Sequence, residues 1–158
     1  MSAICLGIDT TFDDTSVSIL RGKREVLANL TLSQYKDHEE FGGAHAEVNA
    51  LRNSRKDPVE STAYINLEPC CFIGKTPPCT DTLIQNGIAE VYIGMLDPNP
   101  EVNGKGIEAL EKANVIVHLG VGEEESRNLN RPFQKWITSN LPFVTAKVAQ
   151  TPNGFMGV

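Results

Sequence analysis

Three of the four cysteines, Cys70, Cys71 and Cys79, fall within ten residues of one another, and His45 and Glu47 stand two residues apart upstream. Thiolate sulfur and imidazole nitrogen are the donors zinc prefers, and a catalytic zinc site keeps three protein ligands and one open position. His45, Cys70 and Cys79 make such a set, with Cys71 as a competing ligand expected to stand aside. Glu47 is close enough in sequence to share the pocket without being a ligand. In a reducing compartment, clustered cysteines favour a metal or catalytic site over disulfides.

The elements that would carry these residues can be read from the pattern of apolar residues. The stretches 3–9, 15–22 and 24–33 read as strands separated by short turns, and the polar run 36–43 reads as a loop ending in two glycines. From residue 44 the pattern alternates between helix and strand. Helices are expected over 44–54, 79–87 and 106–114, and strands over 61–67, 89–95 and 115–119. A longer helix over 122–139 has an acidic first turn that suits its dipole and a break at Pro132. A last strand is expected over 142–151. Alternation of this kind implies an α/β fold with a largely parallel sheet covered on both faces, a three-layer α/β/α arrangement. The opening strands make the sheet mixed by adding an antiparallel hairpin at its edge.

Within this plan His45 opens a helix, Cys70 comes after a strand through Glu68-Pro69, and Cys79 opens the next helix after Pro77-Pro78. Helix starts present unpaired N–H groups that favour a thiolate. The length of 158 residues suffices for one domain with its own core. Fourteen basic against twenty acidic residues give a net charge of −6, which opposes a general nucleic-acid surface. The absence of a long apolar run opposes a membrane span, and the N-terminus lacks a signal-peptide pattern, so a cytoplasmic protein is expected.

The runs HAEVNAL, EPCC followed by GKTPPCTDTLIQNGI, VYIGMLDPNPEVNGKGIEAL, and LNRPF followed by LPFVTAKVAQTPNG resemble the deaminase domain of the riboflavin-biosynthesis deaminase/reductase family. That family lies within the cytidine-deaminase-like superfamily. The resemblance covers residues 44–158. It implies Zn²⁺ held by His45, Cys70 and Cys79, with Glu47 as general acid and base. It also implies a phosphorylated pyrimidine substrate, diamino-hydroxy-phosphoribosylamino-pyrimidine, which loses an exocyclic amine as ammonia. Substrate contacts are expected from His38, Lys75, Asp97 and Asn99. A nucleoside or tRNA-base deaminase with the same zinc chemistry is the first alternative, and a zinc-binding scaffold with little or no turnover is the second.

Residues 1–43 instead resemble the N-terminus of the tRNA threonylcarbamoyladenosine-modification family, which suggests a chimera. The expected organisation is a foreign hairpin segment over 1–43, a zinc deaminase core over 44–141, and a remnant over 142–158 of the first strand of a reductase domain. No reductase activity is expected from so short a remnant. An exposed apolar strand at 142–151 would favour a homo-oligomer. The family's N-P-x-V-G segment has no clear counterpart here, and Phe72 stands where the family carries His; both departures imply impaired turnover.

Overall fold

The structure is a computed structural model. It describes residues 4–10, 14–21, 25–33, 45–54, 57–74, 76–146, 148, 151 and 153, the first three segments as backbone. In chain order the elements are β1 (Ile4–Thr10), β2 (Asp14–Arg21), β3 (Glu25–Ser33), α1 (Ala46–Arg52), β4 (Thr62–Leu67), α2 (Cys79–Gln85), β5 (Glu90–Met95), α3 (Lys105–Lys112), β6 (Ile116–Leu119), α4 (Glu123–Leu129) and α5 (Arg131–Ser139). The fold is α/β. One six-stranded sheet runs in the order β3-β2-β1-β4-β5-β6.

Strands β1, β4, β5 and β6 are parallel, with Leu6 opposite Ala63, Ile65 opposite Ile93 and Val91 opposite Val117. β2 runs antiparallel to β1, and β3 antiparallel to β2. β2 and β3 make the antiparallel pair at the sheet edge. β1 lies inside the sheet between β2 and β4, where it accounts for one of the parallel pairings.

Period-two alternation sorts the central strands. Ala63, Ile65, Val91 and Ile93 turn to one face and pack with Ala50 and Leu51 of α1, Leu83 of α2 and Leu110 of α3. These side chains are aliphatic, and truncating any one of the large ones would open a cavity worth about 2–5 kcal/mol. On the other face α4 comes so close to β5 that a Cβ on Gly94 would lie 2.0 Å from Ser126 Oγ and 2.8 Å from the carbonyl oxygen of Asn66. Nearer the strand starts, the same face carries a row of rings in register. Tyr64 stacks on Tyr92 at 4.8 Å and Tyr92 on His118 at 4.4 Å, with His118 Nε2 2.7 Å from Glu90 Oε1.

The helix expected over 122–139 is broken as expected, into two helices that meet at Asn130, which caps α4 and begins α5 with Pro132 in its first turn. A proline there has no N–H to lose, whereas within a continuous helix it would clash with the preceding turn. The strand expected over 142–151 is not formed by its described residues: residues 141–146 are irregular and exposed. Its apolar alternation has no neighbouring strand to satisfy it among the described residues, so the strand edge invoked for a homo-oligomer is not present there. No helix among the described residues is long and apolar enough to cross a membrane.

Helix α3 comes close to the turn after β4 at Gly106. A Cβ there would lie 2.3 Å from the carbonyl oxygen of Pro69 and 3.0 Å from Glu68 Oε1. Gly106→Ala is therefore expected to destabilise the fold by about 1–3 kcal/mol through overpacking, measured by urea denaturation. An unchanged midpoint would show that α3 shifts freely.

Candidate metal centre

Four loops or helix starts converge at the carboxyl ends of β4 and β5, the side of an open parallel sheet where ligands bind. His45 is the N-cap of α1, in extended conformation and with no side-chain capping bond. Its ring is thus not spent on its own helix. Cys79 is the first residue of α2 and is fully buried. Cys70 is carried by the turn after β4, and its carbonyl oxygen accepts the Thr80 N–H at 3.2 Å. The Cys79 N–H also points at Cys70 Sγ, 3.3 Å away. These two bonds tie the turn after β4 to the first residues of α2.

The donor atoms of His45, Cys70 and Cys79 all lie within 4.8 Å of one another. His45 Nδ1 is 3.1 Å from Cys79 Sγ and 3.5 Å from Cys70 Sγ. A zinc ion about 2.3 Å from thiolate sulfur and about 2.0 Å from imidazole nitrogen would hold N and S donors about 3.5 Å apart. The trio therefore fits zinc in both donor chemistry and spacing. Cys71, half-buried, does not join the cluster.

The electrostatics of the cluster are those of a shared proton. A hydrogen bond from the Cys79 thiol lowers the Cys70 thiol to about 4, assisted by His45 and opposed by burial. The same bond holds the proton on Cys79, whose pKa is raised, with burial adding to the effect. His45 is raised chiefly by its hydrogen bond to Cys70. Burial likewise pushes the Glu47 carboxyl above its ordinary range, against the pull of backbone N–H groups and His45. Glu47 lies on the first turn of α1 at 7% exposure, close enough to Cys79 for a hydrogen bond.

The loop after β5 closes another side. Asp97 is buried, and its Oδ1 accepts the Asn99 N–H at 2.8 Å, while Asn99 Oδ1 accepts the Glu101 N–H at 3.0 Å. These two bonds turn the loop tightly. Burial raises Asp97 to about 6, and the charges of Glu68 and Cys70 add to it. His38 and Lys75 lie outside the described residues.

Glu68 was legible only as the residue before Pro69, yet it organises this corner. At 2% exposure its carboxylate accepts four backbone N–H groups: Asp97 at 3.2 Å and Gly104 at 2.8 Å on Oε2, Gly106 at 2.9 Å and Ile107 at 3.3 Å on Oε1. The available signal was an acidic residue beside a proline at a strand end, facing a glycine-bearing loop and the start of α3. That pattern is common in capping arrangements and carries no chemistry by itself.

The sequence and the fold that carry this trio resemble those of known proteins. The family model for the cytidine and deoxycytidylate deaminase zinc-binding region matches residues 7–95. The riboflavin biosynthesis protein RibD of Aquifex aeolicus is 48% identical over 117 residues, covering 74% of this chain and 33% of that protein. The diaminohydroxyphosphoribosylamino-pyrimidine deaminase of Buchnera aphidicola subsp. Schizaphis graminum is 48% identical over 105 residues, 66% of this chain and 71% of that one. Among solved structures, Acinetobacter baumannii RibD superposes with a TM-score of 0.65 at 34% identity, over 82% of this chain and 35% of that chain. A Thermotoga maritima deaminase/reductase gives 0.64 at 38% identity, over 81% and 36%.

The chain belongs to the zinc-dependent hydrolytic deaminases of the cytidine and deoxycytidylate deaminase family. It spans about a third of the length of its RibD relatives. The family match begins within β1 and crosses residue 43 without interruption. The first strands are therefore matched as part of the deaminase family, and the expected chimera with a tRNA-modification protein gains no support.

Asp97 yields a test of the buried site. A carboxyl raised from 3.8 to about 6 binds its proton more tightly in the folded chain than in the unfolded one. Stability contributed by the neutral form is thus full below pH 4 and is lost as pH rises through 6. Asp97→Asn keeps the Oδ1 acceptor and removes the charge, so the wild type should lose ground to it between pH 4 and 6. Thermal midpoints of the two proteins measured across that range check the sign. A difference that is flat with pH would contradict the burial argument.

Proposed function

We propose that this chain hydrolyses the exocyclic amine of a phosphorylated diaminopyrimidine of the kind named for its relatives, diamino-hydroxy-phosphoribosylamino-pyrimidine. The observation that carries this proposal is the 48% identity to the Buchnera deaminase across most of that protein's length. Deamination alone is assigned to the chain. Residues 1–141 would make up the deaminase unit, which is supported by the last described helix ending at Ser139.

His45, Cys70 and Cys79 would hold the zinc. When bound, zinc makes a water-derived nucleophile available near neutral pH. Glu47 would take the proton released from that water and deliver it to the ring nitrogen beside the reacting carbon. As the carbon–oxygen bond is kept and the carbon–nitrogen bond breaks, Glu47 would pass a proton to the leaving amine, which departs as ammonia. The sum is substrate plus water giving the oxo-pyrimidine and ammonia, with no redox change. A group doing this work must both accept and release a proton without leaving the pocket. The low exposure of Glu47 and its place on the first turn of α1, two residues from His45, suit it to that role.

Asp97 and Asn99 would meet the substrate from the loop after β5. The loop's own turns, closed by Asp97 Oδ1 and Asn99 Oδ1, would hold them for that contact. Lys75, in the segment between the two cysteine ligands, would meet the phosphate or the ribose, and His38 would be a further substrate contact.

Glu47→Gln tests this assignment. The variant should keep one zinc per chain and lose ammonia release by about 10²–10⁴-fold, the usual worth of a positioned acid–base group. Zinc is counted by elemental mass spectrometry, and ammonia by a coupled assay with the phosphoribosylaminopyrimidine as substrate. Undiminished ammonia release by the variant would remove Glu47 from the mechanism.

A further inference from the structure

We infer that Glu68 is a positioning residue that locks the Asp97–Asn103 loop to the metal-bearing turn, so that substrate contacts and metal ligands keep one fixed spacing. The inference rests on the functional reading above for its kinetic part and on geometry alone for its structural part.

A carboxylate at 2% exposure needs compensation, because an ionised group removed from water costs several kcal/mol unless it is fully bonded. Glu68 finds its compensation in the backbone. Each of its oxygens accepts two N–H groups, and the four donors come from three places in the chain: Asp97 just after β5, Gly104 at the cap of α3, and Gly106 with Ile107 inside its first turn. The main-chain N–H of Glu68 in turn donates to the carbonyl oxygen of Met95 at 3.0 Å, continuing the β4–β5 pairing by one step. One residue thus joins the sheet, the loop and the helix.

The chain between Glu68 and the metal ligand is stiff. Pro69 is fully buried with its φ fixed by the ring, and Cys70 comes next. Gly106 has no Cβ to push the Pro69 carbonyl or the Glu68 carboxylate away. On the far side of the carboxylate, the loop closes on itself through Asn99. Its carbonyl oxygen accepts the N–H groups of Val102 and Asn103, and its N–H reaches Asp97 Oδ1. The Lys105 N–H donates to the Val102 carbonyl oxygen at 2.7 Å. Displacing the carboxylate would release Asp97 and the α3 start together, while His45, Cys79 and the bond between the Cys79 N–H and Cys70 Sγ would remain.

The test uses the zinc-loaded full chain and Glu68→Gln, whose amide cannot accept at both ends. Hydrogen exchange should show the amides of Asp97, Gly104, Gly106 and Ile107 opening as one slow unit in the wild type and losing protection together in the variant. Zinc should stay at one per chain. With the phosphoribosylaminopyrimidine, KM should rise on the order of 10–100-fold while kcat changes far less, since the displaced groups bind rather than react. Asn99→Ala in the Glu68→Gln background should add little to that rise. A variant with a lowered thermal midpoint but unaltered KM would overturn the inference and leave Glu68 a stabilising cap. If the variant does not fold, the wild type still decides: concerted exchange of the four amides supports the lock, and independent exchange overturns it. If the wild type releases no ammonia, the functional reading fails, and the exchange comparison still tests the lock.

Discussion

A thiol with no solvent exposure at the first residue of a helix must be satisfied by whatever faces it. Cys79 is met by His45 Nδ1 on one side and by Cys70 on the other. Bringing those three together requires α1 and α2 to begin at the same corner, with the turn after β4 between them. The parallel pairing of β4 with β5, and the shared apolar layer of Ala50, Leu51, Leu83, Ile65 and Ile93, fix both helices to one face of the sheet. The core therefore sets the distance between donors that are 34 residues apart in sequence. Soft donors held at such spacing suit zinc, whose binding displaces the protons of its thiol ligands.

The same corner shows how a small α/β domain secures loops without large side chains. The turn after β4 and the loop after β5 are bound chiefly by main-chain donors: four to Glu68, one to Cys70 Sγ, one to Asp97 Oδ1 and one to Asn99 Oδ1. Backbone donors cannot rotate away, so loops tied in this manner lose little order when solvent enters. The arrangement leaves His45 and Glu47 placed by the start of α1, and Asp97 and Asn99 by the turns of their own loop. That is a scaffold suited to chemistry in which the reacting atoms must sit at fixed positions before the reaction begins.

Much of this was legible from residue types. H-A-E, E-P-C and P-P-C each mark the start of a helix or the end of a strand, and their donors are unusual enough together to announce a metal. The alternation of strand and helix from residue 61 onward carried the parallel sheet, and Pro132 the division between α4 and α5. Three things were not legible. The run at 142–151 alternates as a strand does, but pairing needs a partner in space, which periodicity does not report. Residues 1–33 read as strands whose place in the sheet depends on the β1–β4 pairing, a contact between residues about 57 apart. Glu68 escaped notice because its role lies in distant amides of a loop and a helix start, and four main-chain N–H groups leave no trace in side-chain identity.

On this account His45, Cys70 and Cys79, and not Cys71, surround a single zinc with one position left open. X-ray absorption at the zinc edge of the loaded protein measures this directly. Two sulfur neighbours at about 2.3 Å with two lighter neighbours at about 2.0–2.1 Å would be the spectrum of this site. Three or four sulfur neighbours would mean that Cys71 or another cysteine joins the ion and that the position needed for water is occupied, which would contradict the account.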